Sequence, residues 1–106
     1  MRENSEMNVI QGLSDIPQTG TALTMIGTDW CTYCGSTVEA IAAVAPDHPD
    51  LQIAKIDGDE DPDVLTEVGA TTYPQLLLHR DGKLVAQRES AKEDVLRAWL
   101  AENGVS

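Results

Sequence analysis

The sequence predicts an α/β protein in which helices cover both faces of a mixed sheet. Apolar segments of strand length alternate with segments of helical periodicity, and a strand–helix–strand order implies a parallel pair joined by a right-handed crossover. Two later strands flank Asp81-Gly82, a turn signal that adds an antiparallel hairpin. A chain of 106 residues suits one domain, and we expect residues 21–103 to form its core.

The first 20 residues carry a short helical signal. Their apolar side chains fall near helical spacing, which predicts a short helix that ends before Pro17. The side chains that define this spacing are Val9, Ile10, Leu13 and Ile16.

Four strands and three helices are predicted after this segment. The strands cover residues 21–27, 51–57, 75–79 and 83–88, and the helices cover residues 36–45, 62–68 and 91–102. Pro46 ends the first helix. Asp61 can cap the second helix, Pro62 suits its first position, and Gly69 is expected to end it in a left-handed conformation. His79 ends the third strand and is expected at the surface.

The charge of the chain limits its partners. Eighteen acidic and seven basic residues give a formal net charge of −11, which disfavours nucleic acid and anionic membranes. No apolar run approaches the roughly 18 residues of a membrane span, and no basic segment followed by an apolar one marks a signal peptide. We therefore expect a cytoplasmic protein, in a compartment where reductants keep thiols reduced.

Cys31 and Cys34 are the chain's two cysteines, and their spacing carries the chemistry. A structural disulfide across so short a loop would restrain little of the unfolded chain, and two cysteines do not complete a four-sulfur zinc site. At a helix start, free amides and the helix dipole favour a thiolate at Cys31, while Cys34 lies within bonding reach about one turn later. The spacing predicts a two-step exchange, with attack by Cys31 and displacement by Cys34.

Alternatives to this interpretation stay open. The cysteine pair is a redox dithiol, a metal half-site shared across a dimer, or an inert core pair. Trp30 either fills the core or shields the cysteines and docks a partner. Pro74 is either a tolerated residue at a strand start or part of a bend that exposes the backbone of Tyr73 to an extended substrate.

Residues 21–103 resemble the thioredoxin family. The resemblance rests on Trp30-Cys31-x-x-Cys34, Ile53-Ala54-Lys55-Ile56-Asp57, Asp61-Pro62, Tyr73-Pro74 and Asp81-Gly82, in that order. It implies a thioredoxin fold with Pro74 in cis, Cys31 as nucleophile, Cys34 as resolving thiol and Lys55 beneath the site. It implies no cofactor beyond the Cys31–Cys34 disulfide. The residues expected to support the site or dock the substrate are Trp30, Thr32, Tyr33, Tyr73, Pro74 and Lys55.

The chain departs from the thioredoxin pattern at three places. Thr32-Tyr33 stands where thioredoxins usually carry Gly-Pro, and a tyrosine before the second cysteine is similar to glutaredoxins. Met25 stands where a buried aspartate is usual, so the expected proton acceptor for the resolving thiol is missing. The segment before the first clear strand is short, which leaves a sheet of four or five strands.

These observations favour a monomeric protein disulfide oxidoreductase that receives electrons from a reductase or a low-molecular-weight thiol. One alternative is a glutaredoxin-like or mycoredoxin-like reductase that uses such a thiol, although residues 87–92 lack the Gly-Gly pair of glutaredoxins. A second is a protein-binding module with little turnover, which Met25 motivates.

Overall fold

Five strands form one mixed sheet, and helices lie against both of its faces, as predicted. The computed structural model describes residues 8–28, 31 and 33–105. The strands are β1 (Asn8–Ile10), β2 (Thr21–Gly27), β3 (Gln52–Asp57), β4 (Gln75–Arg80) and β5 (Lys83–Arg88). The helices are α1 (Cys34–Val44), α2 (Val64–Glu67) and α3 (Glu93–Glu102), with 3-10 turns at Leu13–Asp15 and Ala45–Asp47. Within the described ranges, no helix is long and apolar enough to cross a membrane.

The strand order β1-β3-β2-β4-β5 brings three chain segments together at one edge of the sheet. β2 and β3 are parallel, and Gly27 lies beside Asp57 at their carboxyl ends. β4 runs antiparallel to β2, so Gln75 at its start lies beside Ile26. We call this the carboxyl edge: it is the end of the sheet where β2 and β3 finish and β4 begins, and Gly27, Asp57 and Gln75 define it.

The core consists of two apolar clusters, one on each face of the sheet. The first, between the sheet and helices α1 and α3, includes Leu23, Met25, Cys34, Ile41, Leu76 and Leu100. The second, on the face that α2 covers, consists of Ile26, Ile56, Val64, Leu65 and Leu77. β2 sends Leu23 and Met25 into the first cluster and Ile26 into the second, so it is buried on both faces, which explains why its sequence lacks a regular alternation of polar and apolar residues.

The predicted N-terminal helix is wrong where the structure describes it. Asn8–Ile10 form β1, which pairs in parallel with residues 54–56 of β3, and Leu13 lies in a single 3-10 turn. The apolar residues that suggested a helix are therefore strand and turn residues, since the edge of β3 offers backbone hydrogen bonds to residues 8–10. This segment supplies the fifth strand, while residues 1–7 lie outside the described part.

Two helix starts also differ from the prediction. α2 begins at Val64, because turns occupy the segment ahead of it: the amides of Glu60 and Asp61 donate to the carbonyl of Asp57 at 3.1 and 3.0 Å, and the amide of Val64 donates to the backbone carbonyl of Asp61 at 3.2 Å. The N-cap residue is Asp63, so Asp61 does not cap this helix. α1 begins at Cys34, so Cys31 lies in the loop ahead of the helix and not in its first turn.

The Asp81-Gly82 turn between β4 and β5 is confirmed. Both residues have positive φ, 53° and 85°, which is the conformation of a two-residue hairpin turn. The Asp81 carboxylate also accepts a hydrogen bond from the amide of Gly20 at 2.9 Å, which ties the turn to the start of β2.

His79 is buried, with 8% of its surface exposed, so the expected surface position is wrong. β4 lies between β2 and β5, and His79 pairs with Ala22. Its Nδ1 has no hydrogen-bond partner among the described residues, and burial lowers the pKa of His79 below its ordinary 6.5.

The free energy of unfolding should therefore decrease as the pH falls below about 6.5, because the unfolded chain protonates His79 before the folded chain does. Urea titrations at pH 8 and pH 5 measure this loss, and a His79→Leu variant should lose less stability between the two. An equal loss of stability in the wild type and in His79→Leu would show that His79 does not cause the pH dependence.

Candidate active site

Cys31 and Cys34 form a disulfide beyond the end of β2, with Cα atoms 5.4 Å apart. Cys31 lies in the loop, and its amide donates to the carbonyl of Thr28 at 3.4 Å. It is partly exposed, whereas Cys34 is the first residue of α1 and is 6% exposed. A reactant that arrives from solvent therefore meets Cys31 more readily than Cys34.

The sulfur of Cys34 packs directly against the backbone of Gly27. A Cβ atom at Gly27 would lie 2.8 Å from this sulfur and 3.1 Å from the methyl carbon of Met25. Met25 is completely buried and belongs to the same cluster as Cys34. The buried cysteine thus has an apolar thioether neighbour at the position where the family pattern places a carboxylate.

Lys55 lies beside Met25 on the neighbouring strand. The two residues are register partners in the parallel β2–β3 pair, so their side chains point to the same face of the sheet. Lys55 is partly buried there. Lys55 therefore lies on the same face of the sheet as Met25 and the first apolar cluster.

The bond between Tyr73 and Pro74 is cis, and it precedes the start of β4 at the carboxyl edge. Pro74 is buried, while Tyr73 is half-buried and packs against both apolar clusters. The Tyr73 hydroxyl lies 3.5 Å from the carbonyl oxygen of Gly58, to which it donates. The amide of Gly58 in turn donates to the carbonyl of Gly27 at 2.8 Å. Tyr73 therefore connects through Gly58 to Gly27, the residue that contacts the Cys34 sulfur.

The sequence interpretation missed the roles of Gly27 and Gly58. A Cβ atom at Gly58 would lie 2.5–2.6 Å from three atoms of the Tyr73 side chain, so the ring occupies the space that any other residue would need. A glycine at the end of an apolar strand indicates a close approach by another group. The sequence carries that signal but does not identify the approaching group.

Among the residues that the structure describes, Tyr33 is the most exposed large apolar side chain, at 62%. Its backbone is fixed, because its carbonyl accepts hydrogen bonds from the hydroxyls of Ser36 and Thr37 at 3.1 and 3.0 Å. The ring is therefore open to solvent on a backbone that hydrogen bonds hold in place. Trp30 and Thr32, the neighbouring residues predicted to support the site or dock the substrate, lie outside the described residues.

A Gly58→Ala substitution should destabilise the protein by about 1–3 kcal/mol, the usual cost of overpacking a core position. The reason is the clash with the Tyr73 ring. Urea titration measures the change. Gly35→Ala is the matched control: nothing lies within 4 Å of its Cβ position in α1, so alanine should stabilise the helix by up to about 1 kcal/mol. Unchanged stability of Gly58→Ala would show that Tyr73 moves aside freely.

Among residues 8–28, 31 and 33–105, no group of three or more His, Cys, Asp or Glu side chains is placed to hold a metal ion.

Comparison with known proteins agrees with this geometry. A family model described as thioredoxin matches residues 13–102. Thioredoxin H2 of Arabidopsis thaliana is 37% identical over 73 residues, which are 69% of this chain and 55% of that protein. Thioredoxin-2 of Pyricularia oryzae is 32% identical over 74 residues, which are 70% of this chain and 43% of that protein. The chain thus spans about half the length of these curated relatives.

A solved structure shows the same fold. The oxidised form of mitochondrial thioredoxin 3 from Saccharomyces cerevisiae superposes with a TM-score of 0.82, over 94% of this chain and 98% of that one, at 22% identity. At this identity, the similarity bears on the fold alone. Because the family model covers most of the sequence and the cysteine pair stands at the end of β2, this chain belongs to the thioredoxin family.

Proposed function

We propose that the chain is a thiol–disulfide oxidoreductase that exchanges its Cys31–Cys34 dithiol with disulfides of other proteins. The observation that carries the proposal is the unequal exposure of the bonded pair: Cys31 is partly exposed, and Cys34 is buried against Gly27. Such a pair divides the reaction into an intermolecular step at one sulfur and an intramolecular step at the other.

In the first step, the Cys31 thiolate attacks one sulfur of the substrate disulfide. A bond forms between Cys31 and that sulfur, and the other substrate sulfur leaves as a thiolate. In the second step, the deprotonated Cys34 attacks the Cys31 sulfur, which forms the Cys31–Cys34 bond and releases the second substrate thiol. Two electrons pass to the substrate, and the protein ends in the disulfide state that the structure shows.

Three groups around the disulfide have supporting roles in this proposal. The backbone of Tyr73, next to Pro74, pairs with an extended substrate segment. Tyr33, with Trp30 and Thr32, contacts the substrate from the cysteine loop, and the half-buried Tyr73 ring adds apolar surface. Lys55, the register partner of Met25 on β3, supplies a positive charge beneath the site in this proposal.

The remaining parts of the proposal concern the surroundings of the reaction. We propose a monomer of one domain that acts in the cytoplasm without a further cofactor. A reductase or a low-molecular-weight thiol would return the disulfide to the dithiol. The glutaredoxin-like alternative is not favoured, because the matching family model and the relatives named above are thioredoxins.

Mixing the reduced protein with insulin tests the proposal. Both thiols of the chain should disappear as insulin gains an equal number, counted by alkylation and mass measurement. Unchanged thiols would overturn the proposal and support the second candidate, a binding module, which the apolar contact of Met25 near Cys34 favours. Reduction of insulin would remove that second candidate.

A further inference from the structure

The side-chain amide of Gln75, the first residue after Pro74, is buried and forms hydrogen bonds in two directions. Its surface is 3% exposed. Its Nε2 donates to the carbonyl of Thr72 at 2.9 Å and lies 3.5 Å from the Thr72 hydroxyl. Its Oε1 accepts a hydrogen bond from Nε2 of Gln87 at 3.2 Å. The amide therefore bridges strand β5 and the loop ahead of Pro74.

The bond to Thr72 restrains the backbone that leads into Tyr73. The Thr72 carbonyl and the Tyr73 N–H belong to the same peptide plane, which is rigid. Fixing the oxygen of that plane therefore fixes the direction of the Tyr73 N–H. This N–H is one of the groups that an extended substrate would need for backbone pairing.

Gln75 is itself anchored to the strand that supports the disulfide. Its backbone pairs with Ile26 of β2, and the next residue, Gly27, contacts the Cys34 sulfur. Gln87 orients the amide, because a donor to Oε1 leaves Nε2 directed at Thr72. Gln75 thus links two parts of the site: its side chain holds the loop ahead of Pro74, and its backbone pairs with the strand next to the disulfide.

We propose that Gln75 is a positioning residue for substrate docking and that Gln87 holds its amide in the required orientation. The inference rests on the proposed function, in which the substrate pairs with the backbone of Tyr73. Neither glutamine contacts the reacting sulfurs in this proposal. Their effect is on the binding of a protein substrate and not on the chemistry at Cys31.

A Gln75→Leu variant tests the proposal with two substrates. Its KM for insulin should increase about 3- to 10-fold with little change in kcat, because one net hydrogen bond that orders the docking backbone is lost. Its rate with 5,5′-dithiobis(2-nitrobenzoate), a small disulfide that needs no backbone pairing, should equal that of the wild type. Gln87→Leu should increase KM in the same direction and carries the test if Gln75→Leu does not fold.

Gln52→Leu is the matched control. Its amide donates to the carbonyl of Thr19 at 2.9 Å, the same type and length of bond, but at the other end of β3 from the carboxyl edge. Its KM for insulin should remain at the wild-type value. An unchanged KM in the Gln75 and Gln87 variants, or equal losses with insulin and with the small disulfide, would overturn the proposal. Wild-type protein that does not reduce insulin would instead overturn the proposed function.

Discussion

Replacing Cys31 by serine should reduce the rate of insulin reduction to the uncatalysed background, whereas replacing Cys34 by serine should trap a mixed disulfide. A serine hydroxyl does not attack a disulfide sulfur under these conditions, because the thiolate is the attacking species. Cys31 is the more exposed cysteine, so its loss removes the first step. Loss of Cys34 removes the second step and leaves Cys31 bonded to the substrate.

Nonreducing electrophoresis and intact mass measurement identify the trapped species. Cys34→Ser should show a covalent adduct with insulin that dithiothreitol releases, and the Cys31→Ser/Cys34→Ser protein is the control without thiols. If Cys31→Ser formed the stable adduct and Cys34→Ser did not, the assigned roles of the two cysteines would be reversed.

Replacing Met25 by aspartate should lower the stability of the protein while increasing the rate of the second step. Met25 is completely buried among apolar residues, so an ionised carboxylate there loses its hydration, at a cost of up to about 3–5 kcal/mol that Lys55 on the neighbouring strand offsets in part. Burial should raise the pKa of the new carboxyl above its unfolded value. The folded state then binds the proton more tightly, so the stability loss should be small near pH 4 and grow as the pH rises through the folded pKa.

The same carboxylate would lie near the Cys34 sulfur, since Met25 and this sulfur both border the space above Gly27. As a proton acceptor, it should speed release of the mixed disulfide by about 10- to 100-fold at a pH where it is ionised. Stopped-flow measurement of substrate release gives the rate, and urea titration gives the stability. Met25→Leu, which keeps the site apolar, should leave both the release rate and the stability close to their wild-type values. A Met25→Asp variant with the wild-type release rate would show that the resolving thiol needs no carboxylate nearby to accept its proton.

The strands β2 and β5 and the cysteine pair were predictable because their signals are local. β2 and β5 have the predicted bounds, since a continuous apolar run and an Asp-Gly turn are read from neighbouring residues alone. β1 was not predictable in this way. Its three residues become a strand because β3 offers an edge, and nothing within residues 8–10 records that partner.

The start of α2 shows a second limit. Asp61-Pro62 has the composition of a helix start, but the amide of Val64 donates to the backbone carbonyl of Asp61 in a turn, and the helix begins only at Val64. Sequence reasoning placed the candidate site at the cysteines and at Pro74, which are motif residues. Gln75 and its partner Gln87 were not identified, because their hydrogen bond joins residues on two different strands.

The packing of Tyr73 on Gly58, and of Cys34 on Gly27, has a consequence for transplanting this chemistry. The Cys31–Cys34 pair belongs to a packed unit with residues from three other places in the chain: Gly27 on β2, Gly58 after β3 and Tyr73 before β4. A host scaffold that received the cysteine loop alone would present side chains where two glycines leave space. A functional graft would therefore require substitutions at four separate places in the recipient chain, introduced together.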